Sequence, residues 1–340
     1  MSLLMNPMSH AVPLRSMRVE RGRTLIELLV AIGLGLLILL GVGTLFMGSN
    51  QSSRASVSVA SAEETGQVIL SSIGAAVRRA GYAEIVGVSE KPSRSDLLYS
   101  GPHVQGCVGA NFVLDGAGDP VLDGNGFFTC GATVAGAPDS LAVVFQADSV
   151  ISSPQGPTAD CLGQAALLVA IADPNYRARV VGGQLPLVRN IYALNGTDLT
   201  CRGNGNAGVP ATLIGEVEDF KVYFGFDDDA RATPLANTGR PVARTLRDAT
   251  YIRGLNAAGP NFPPWDFVIT VHVCVLIRSV ETGVTAQTGT PQHMPCPQTA
   301  AEAAGTTAIA AVNSPADGRV RRAYSQVFTV RSRAAPAPAV

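Results

Sequence analysis

The sequence predicts an α+β fold in which one long N-terminal helix joins a β-rich head. Three observations predict it. Residues 25–47 form an unbroken apolar run whose only carboxylate is Glu27. Residues 49–80 follow without a proline and keep apolar side chains at helical spacing. After Gly81 the pattern changes to short apolar or alternating runs, separated by Gly-, Asn- and Pro-rich stretches.

The apolar run comes first in the argument. As a helix rising about 1.5 Å per residue it is about 35 Å long, against a hydrocarbon core of about 30 Å. A carboxylate inside such a span costs about 3 kcal/mol, so Glu27 needs a partner or a purpose. The flank before it is basic, with Arg15, Arg18, Arg21 and Arg23 against Glu20. Positive flanks stay in the cytoplasm, so the chain is expected to run N-in and C-out. A cleaved secretory signal would have a shorter apolar core and a small-residue cleavage site on the far side. Met17 is a second candidate start.

Over residues 49–80 the expected buried stripe is Val57, Ala60, Val68, Ile69, Ile73, Ala76, Val77 and Ala80. Gly81 is the expected stop. Gly33, Gly35, Gly41 and Gly43 lie in the lipid half, where small residues permit close helix packing.

The rest reads as strands. Short apolar runs cover 141–147, 166–171 and 187–194. Over 217–226, Phe220, Val222, Phe224 and Phe226 alternate with Asp219, Lys221, Tyr223 and Gly225, which predicts one buried face. Ile269, Val271, Val273, Val275 and Ile277 line one face of a strand over 267–277, and Tyr324, Phe328 and Val330 line one over 320–330. Residues 203–210 and 256–264 read as flexible loops, and 334–340 as a disordered tail. No internal repeat is visible.

Composition limits the function. Of 340 residues 46% are hydrophobic and only 15% charged. Without residues 1–22 the balance is 22 basic against 25 acidic, a net of −3. No basic cluster with interleaved aromatics is present, so no nucleic-acid partner is expected. Six cysteines, Cys107, Cys130, Cys161, Cys201, Cys274 and Cys296, lie beyond the apolar run. An even number beyond an N-in span points to disulfides in an oxidising compartment. Six cysteines allow 15 connectivities. The sequential set, Cys107 with Cys130, Cys161 with Cys201 and Cys274 with Cys296, is the expectation. Each would close a loop of about 20 to 40 residues, worth about 3 to 4 kcal/mol in the chain-entropy model.

Gly22-Arg23-Thr24-Leu25-Ile26-Glu27, followed at once by the apolar run, resembles the prepilin processing motif of type IV pilins and type II secretion pseudopilins. The resemblance implies cleavage by a prepilin peptidase between Gly22 and Arg23 and N-methylation of Arg23. It makes Glu27 the fifth mature residue, with Arg15, Arg18 and Arg21 in the leader. Arg23 stands where the family usually has Phe or another apolar residue. In that family the new α-amino group of one subunit meets the acid of its neighbour and sets axial register.

Further blocks resemble minor pilins of the PilW type. They are residues 77–82 (Val-Arg-Arg-Ala-Gly-Tyr), 215–220 (Gly-Glu-Val-Glu-Asp-Phe) and 226–229 (Phe-Asp-Asp-Asp). Others are Trp265-Asp266 leading into 268–278, the closing 319–328, and the cysteine blocks 160–163 and 200–206. The resemblance implies a type IV pilin-like fold: a helix half in the membrane and half amphipathic, packed on an antiparallel sheet. It divides the chain into a leader (1–22), a transmembrane half-helix (23–48), an amphipathic half-helix (49–81), a head (82–333) and a tail (334–340). It implies a minor pilin that primes type IV pilus assembly, with the pilus tip as its implied place. The implied partners are other minor pilins, the major pilin, the prepilin peptidase, the inner-membrane assembly platform and a large tip adhesin. The implied location is the inner membrane of a Gram-negative bacterium, with the head in the periplasm and later in the extracellular pilus. A type II secretion pseudopilin, and an uncleaved membrane-anchored periplasmic binding module, are the rival readings.

Other constellations point to structure rather than chemistry. His272-x-Cys274 and His293-x-x-Cys296 offer zinc-type ligands at spacings unlike common zinc modules, and disulfides are the preferred reading. Residues 123–126 (Asp-Gly-Asn-Gly) and Asp227-Asp228-Asp229 lack the alternating ligand set and closing Glu of a calcium loop. Residues 203–208 spell a dinucleotide-type glycine pattern without the flanking strand and helix. Glu63 and Glu64 read as a solvated helix face. No nucleophile elbow is present, so neither enzymatic activity nor a cofactor or metal is expected.

Overall fold

The computed structural model describes residues 24–83, 99, 101, 103–124, 127–147, 160–170, 184–205, 209–232, 242–255, 263–282 and 291–330. The leader with Arg15, Arg18, Arg21, Gly22 and Arg23, and the tail at 334–340, lie outside the described residues. Helix α1 spans Leu25–Arg79. The chain divides into two compact units, Met1–Ser53 and Arg54–Val340, with the division inside α1.

In the first unit, α1 is apolar on all sides and its large side chains are exposed, Leu25, Leu37, Leu40 and Met47 among them. This stretch is long and apolar enough to cross a membrane. In the second unit α1 buries Ser58, Ala62, Gly66, Ile69, Leu70, Ile73, Gly74, Ala76 and Val77. It stops at Gly81, whose φ of +68° is the left-handed conformation that favours glycine, and whose N–H donates to Val144 O (2.9 Å).

The head contains two main antiparallel sheets. The first has the order β1-β2-β4-β5-β6, with β3 also paired to β4. Its strands are β1 (Val104–Cys107), β2 (Ser140–Gln146), β3 (Leu167–Ala170), β4 (Gln184–Asn195), β5 (Asp198–Arg202) and β6 (Ala211–Ile214). The β4–β5 hairpin turns at Gly196, φ +63°, after Asn195. The second sheet runs β12-β9-β7-β8, from β7 (Val217–Phe226), β8 (Thr245–Arg247), β9 (Val268–Arg278) and β12 (Arg321–Thr329). A ribbon of β10 (Gln292–His293) and β11 (Val312–Asn313) completes the described strands. One core joins α1 to both sheets: Ile69, Ile73 and Val77 pack with Leu141, Val143, Phe145, Phe220, Val222, Phe224, Val273, Val275 and Phe328.

Four expectations are corrected. The helix stripe was expected at Val57, Ala60 and Val68, but all three are exposed. Small residues take their place, because β12 lays two rings on the helix. A Cβ on Gly66 would lie 2.7 Å from Tyr324 Cδ2, and one on Gly74 would lie 2.2 Å from Phe328 Cε1. β7 was expected to bury one face, yet every residue from Phe220 to Phe226 is buried. Its outer face is covered by the segment before β2 and by residues 296–298: Lys221 Nζ donates to Ala137 O, and Tyr223 Oη to Pro297 O (2.9 Å).

Gly203 to Gly205 were read as flexible but pack around Asp160. Its Oδ1 accepts from Leu162 N (2.9 Å) and Gln164 N (3.0 Å), and its Oδ2 from Gly205 N (3.0 Å). A Cβ on Gly203 would collide with that carboxylate, which explains the glycine. Asn204 is buried, with Nδ2 donating to Leu187 O (2.8 Å).

The fourth correction is an internal repeat. Residues 113–118 (Val-Leu-Asp-Gly-Ala-Gly) recur at 121–126 (Val-Leu-Asp-Gly-Asn-Gly). The backbone joins Val113 and Val121 to Thr129 in a three-cornered turn. Val113 N donates to Thr129 O (2.8 Å), Thr129 N to Val121 O (2.7 Å) and Val121 N to Val113 O (2.9 Å). Asp115 and Asp123 act alike: the Oδ1 of each accepts an N–H four residues on, from Asp119 (2.8 Å) and Phe127 (2.9 Å).

Candidate functional site

Thr24 and Glu27 open α1 together. Glu27 N donates to Thr24 O (3.0 Å) and lies 3.4 Å from Thr24 Oγ1. Thr-x-x-Glu is the pattern of a helix N-cap with an acid at the third position, where a negative charge complements the helix dipole. Sequence reasoning took the carboxylate for its cost in lipid and missed this local role. Glu27 is exposed at the N-terminal end of the apolar stretch.

The cysteines form three bonds: Cys107 with Cys130 (Cα–Cα 5.7 Å), Cys161 with Cys201 (6.4 Å) and Cys274 with Cys296 (5.8 Å). The first closes the three-cornered turn onto β1. The second holds the Asp160 turn against β5. The third ties β9 to the segment that covers β7. With both sulfurs bonded, neither Cys274 nor Cys296 is available to a metal. His293 Nδ1 lies 2.9 Å from Ser314 Oγ. The acidic triplet after β7 is likewise committed. Asp227 Oδ2 accepts from Val242 N (3.0 Å), Asp228 Oδ2 from Thr245 Oγ1 (2.6 Å), and Asp229 pairs with Arg244 (2.9 Å).

Two sequence blocks far apart in the chain, 215–220 and 319–328, meet at one end of the second sheet. Arg278 and Arg319 both bind Glu216, the latter at 2.8 Å. Arg321 forks onto Glu218 through Nε (2.7 Å) and Nη2 (2.9 Å), and onto Asp317 through Nη1 (2.9 Å) and Nη2 (2.6 Å). The Arg321 side chain is only 1% exposed, so this planar two-sided fork satisfies a buried cation. Glu216 has φ +63°, a left-handed conformation unusual for a residue with a side chain, held where its carboxylate meets two guanidinium groups. The helix end adds to this architecture: Arg78 lies 5.8 Å from the centre of the Phe328 ring and Arg79 5.9 Å from that of Phe145.

The Arg321 fork holds the Asp317 carboxyl well below the usual carboxylate range. A depressed acid adds stability above its unfolded value, lost as pH falls through the folded one. Asp317→Asn is therefore expected to destabilise the head at pH 7. Its deficit should shrink steadily below pH about 4, as the wild type also loses the charge. Urea unfolding of both proteins across pH measures this, and a constant deficit would contradict it.

Residues 183–332 match the family model described as Type IV Pilus-assembly protein W. The likeness to that family is confined to this segment. It runs from β4 to β12, and so includes the whole second sheet, both rings that seat on α1, and the ion-pair lattice. A solved structure, the type IV-like pilin TTHA1219 from Thermus thermophilus, aligns over 82% of this chain and 98% of its own, at 13% identity and a TM-score of 0.38. No curated protein matches. The match covers 150 of the 340 residues, and a helix long and apolar enough to cross a membrane lies ahead of it.

Proposed function

We propose that the chain is a minor pilin, cleaved after Gly22, that enters a type IV pilus and helps to prime its assembly, with the pilus tip as its place. One observation carries this reading. The PilW-family segment clasps the C-terminal part of the same α1 whose N-terminal part is exposed, apolar and opened by Thr24 and Glu27. A bilayer holds that exposed surface before assembly, and neighbouring helices cover it afterwards. In either setting an unpaired Glu27 is penalised, and the α-amino group of a neighbouring subunit cleaved to Arg23 is the cation that relieves it. The partners of this reading are other minor pilins, the major pilin, the prepilin peptidase, the assembly platform and a tip adhesin. The head passes from the periplasm of a Gram-negative cell to its surface.

Intact mass of the chain expressed with and without a prepilin peptidase tests the reading. A new N-terminus at Arg23 that depends on the peptidase is expected, with the mass of a methyl group added. If the chain stays uncut and Arg23→Phe stays uncut too, the protein is an anchored module and the proposal fails.

A further inference from the structure

Lys221 is a buried primary amine with two carboxylates beside it. It sits on the outer face of β7, 5% exposed. Its Nζ lies 3.9 Å from Asp139 Oδ1 and 3.8 Å from Asp219 Oδ1, and donates to Ala137 O at 2.6 Å. Both carboxylate distances exceed a charge-assisted hydrogen bond, so neither acid holds the amine in a close ion pair. Asp139 is 3% exposed and stands just before β2, in the first sheet. Its backbone N–H donates to Phe220 O (2.7 Å), which fixes it against β7. Its Oδ1 accepts from Gly109 N and its Oδ2 from Val222 N, each at 2.9 Å.

Buried Asp139 and partly buried Asp219 beside one base favour keeping one acid neutral, since Lys221 supplies a single positive charge. Burial raises the pKa of both Asp139 and Asp219. A neutral carboxylic acid facing an amine, with backbone N–H groups aimed at its oxygens and a second carboxyl at hand, has the components of amide formation.

We propose that Lys221 and Asp139 condense to an intramolecular amide that links β7 to the start of β2. Asp219 takes the extra proton of the Lys221 ammonium, and the Nζ lone pair this frees attacks Asp139 Cγ. The Val222 N–H stabilises the oxyanion on Oδ2. Asp219 passes that proton to the departing Oδ1 and takes a second one from the nitrogen, ending as the neutral acid. The C–Oδ1 bond breaks, and one water leaves for one C–N bond formed, so no oxidant, reductant or activating group is needed.

Intact mass and protease mapping of the full chain, purified in detergent with its disulfides reduced, decide it. The expected result is a mass one water below that of the sequence from its established N-terminus, with a branched peptide joining residues 139 and 221. Lys221→Arg should restore the full mass. Asp139→Asn should lose one ammonia in place of one water. Asp219→Asn, checked for native circular dichroism, should accumulate at full mass. Separate peptides around residues 139 and 221 at full wild-type mass would overturn the proposal, as would a branch joining residue 221 to residue 219. A folded Asp219→Asn protein that still loses one water would overturn the role of Asp219 as proton carrier. Because the wild-type mass decides the matter, a variant that fails to fold does not obscure it.

Discussion

Gly74→Val is expected to be among the most damaging single substitutions in the head, costing about 3 kcal/mol or more. The reason is geometric. A Cβ at this position would lie 2.2 Å from Phe328 Cε1 and 2.6 Å from Cδ1, well inside contact distance. The ring cannot swing away easily, since Phe328 is 3% exposed and packed with α1 and β9. A valine also adds two methyl groups in a tightly packed core. The opposing gain, better helix propensity than glycine, is below about 1 kcal/mol. Denaturant unfolding of the wild type, Gly74→Val and Gly74→Val/Phe328→Ala tests the mechanism. The double variant should recover part of the loss, because the clash and the ring occupy the same space. Equal stability of Gly74→Val and the wild type would show that the rings do not seat as described.

Under the proposed function, Glu27→Ala is expected to leave the head folded and peptidase cleavage intact, yet lower incorporation into the pilus at least about tenfold, which corresponds to losing about 1.4 kcal/mol. Glu27 lies in the first compact unit, while the core that stabilises the head begins beyond Arg54. Its removal therefore touches assembly rather than the fold. The Thr24 cap oxygen does not depend on the acid, so the helix start should persist. The fraction of the protein in sheared pili, and its co-purification with the partners of the proposed function, measure the effect. Wild-type levels of both would refute the register role of Glu27.

The elements legible in the sequence were those with a strong period. α1 could be read because 55 residues without a proline sustain it, and β9 because five apolar residues alternate through it. What escaped depended on distant partners. Gly66 and Gly74 carry no apolar signal, and only the rings of Tyr324 and Phe328, some 250 positions on, make them the buried line of the helix. Lys221 reads as solvent-facing until the segment before β2 lies over it. Gly203 and Gly205 read as flexible because the Asp160 that organises them is about 40 residues earlier. The two Val-Leu-Asp-Gly copies stand in the sequence eight residues apart, but their closure does not, because it runs through Thr129 and the Cys107–Cys130 bond. In the candidate site, the Thr24–Glu27 pattern is legible because its four residues are contiguous. The convergence of Glu216, Glu218, Arg278, Arg319, Arg321 and Asp317 is not, because β-sheet register cannot be read from either block alone.

The two glycine seats have a metrical consequence. Gly66 and Gly74 are eight helical steps apart, about 12 Å. Tyr324 and Phe328 are four strand steps apart, about 13 Å. The two rulers coincide at these two marks, as on a vernier scale. A slip of α1 by one residue along β12 would bring a side chain under each ring at once. The last turns of the helix are thus indexed to the C-terminal strand in both translation and rotation. A pull or twist on that part of the helix is delivered to β12, and through its nine-residue pairing to β9, without lost motion.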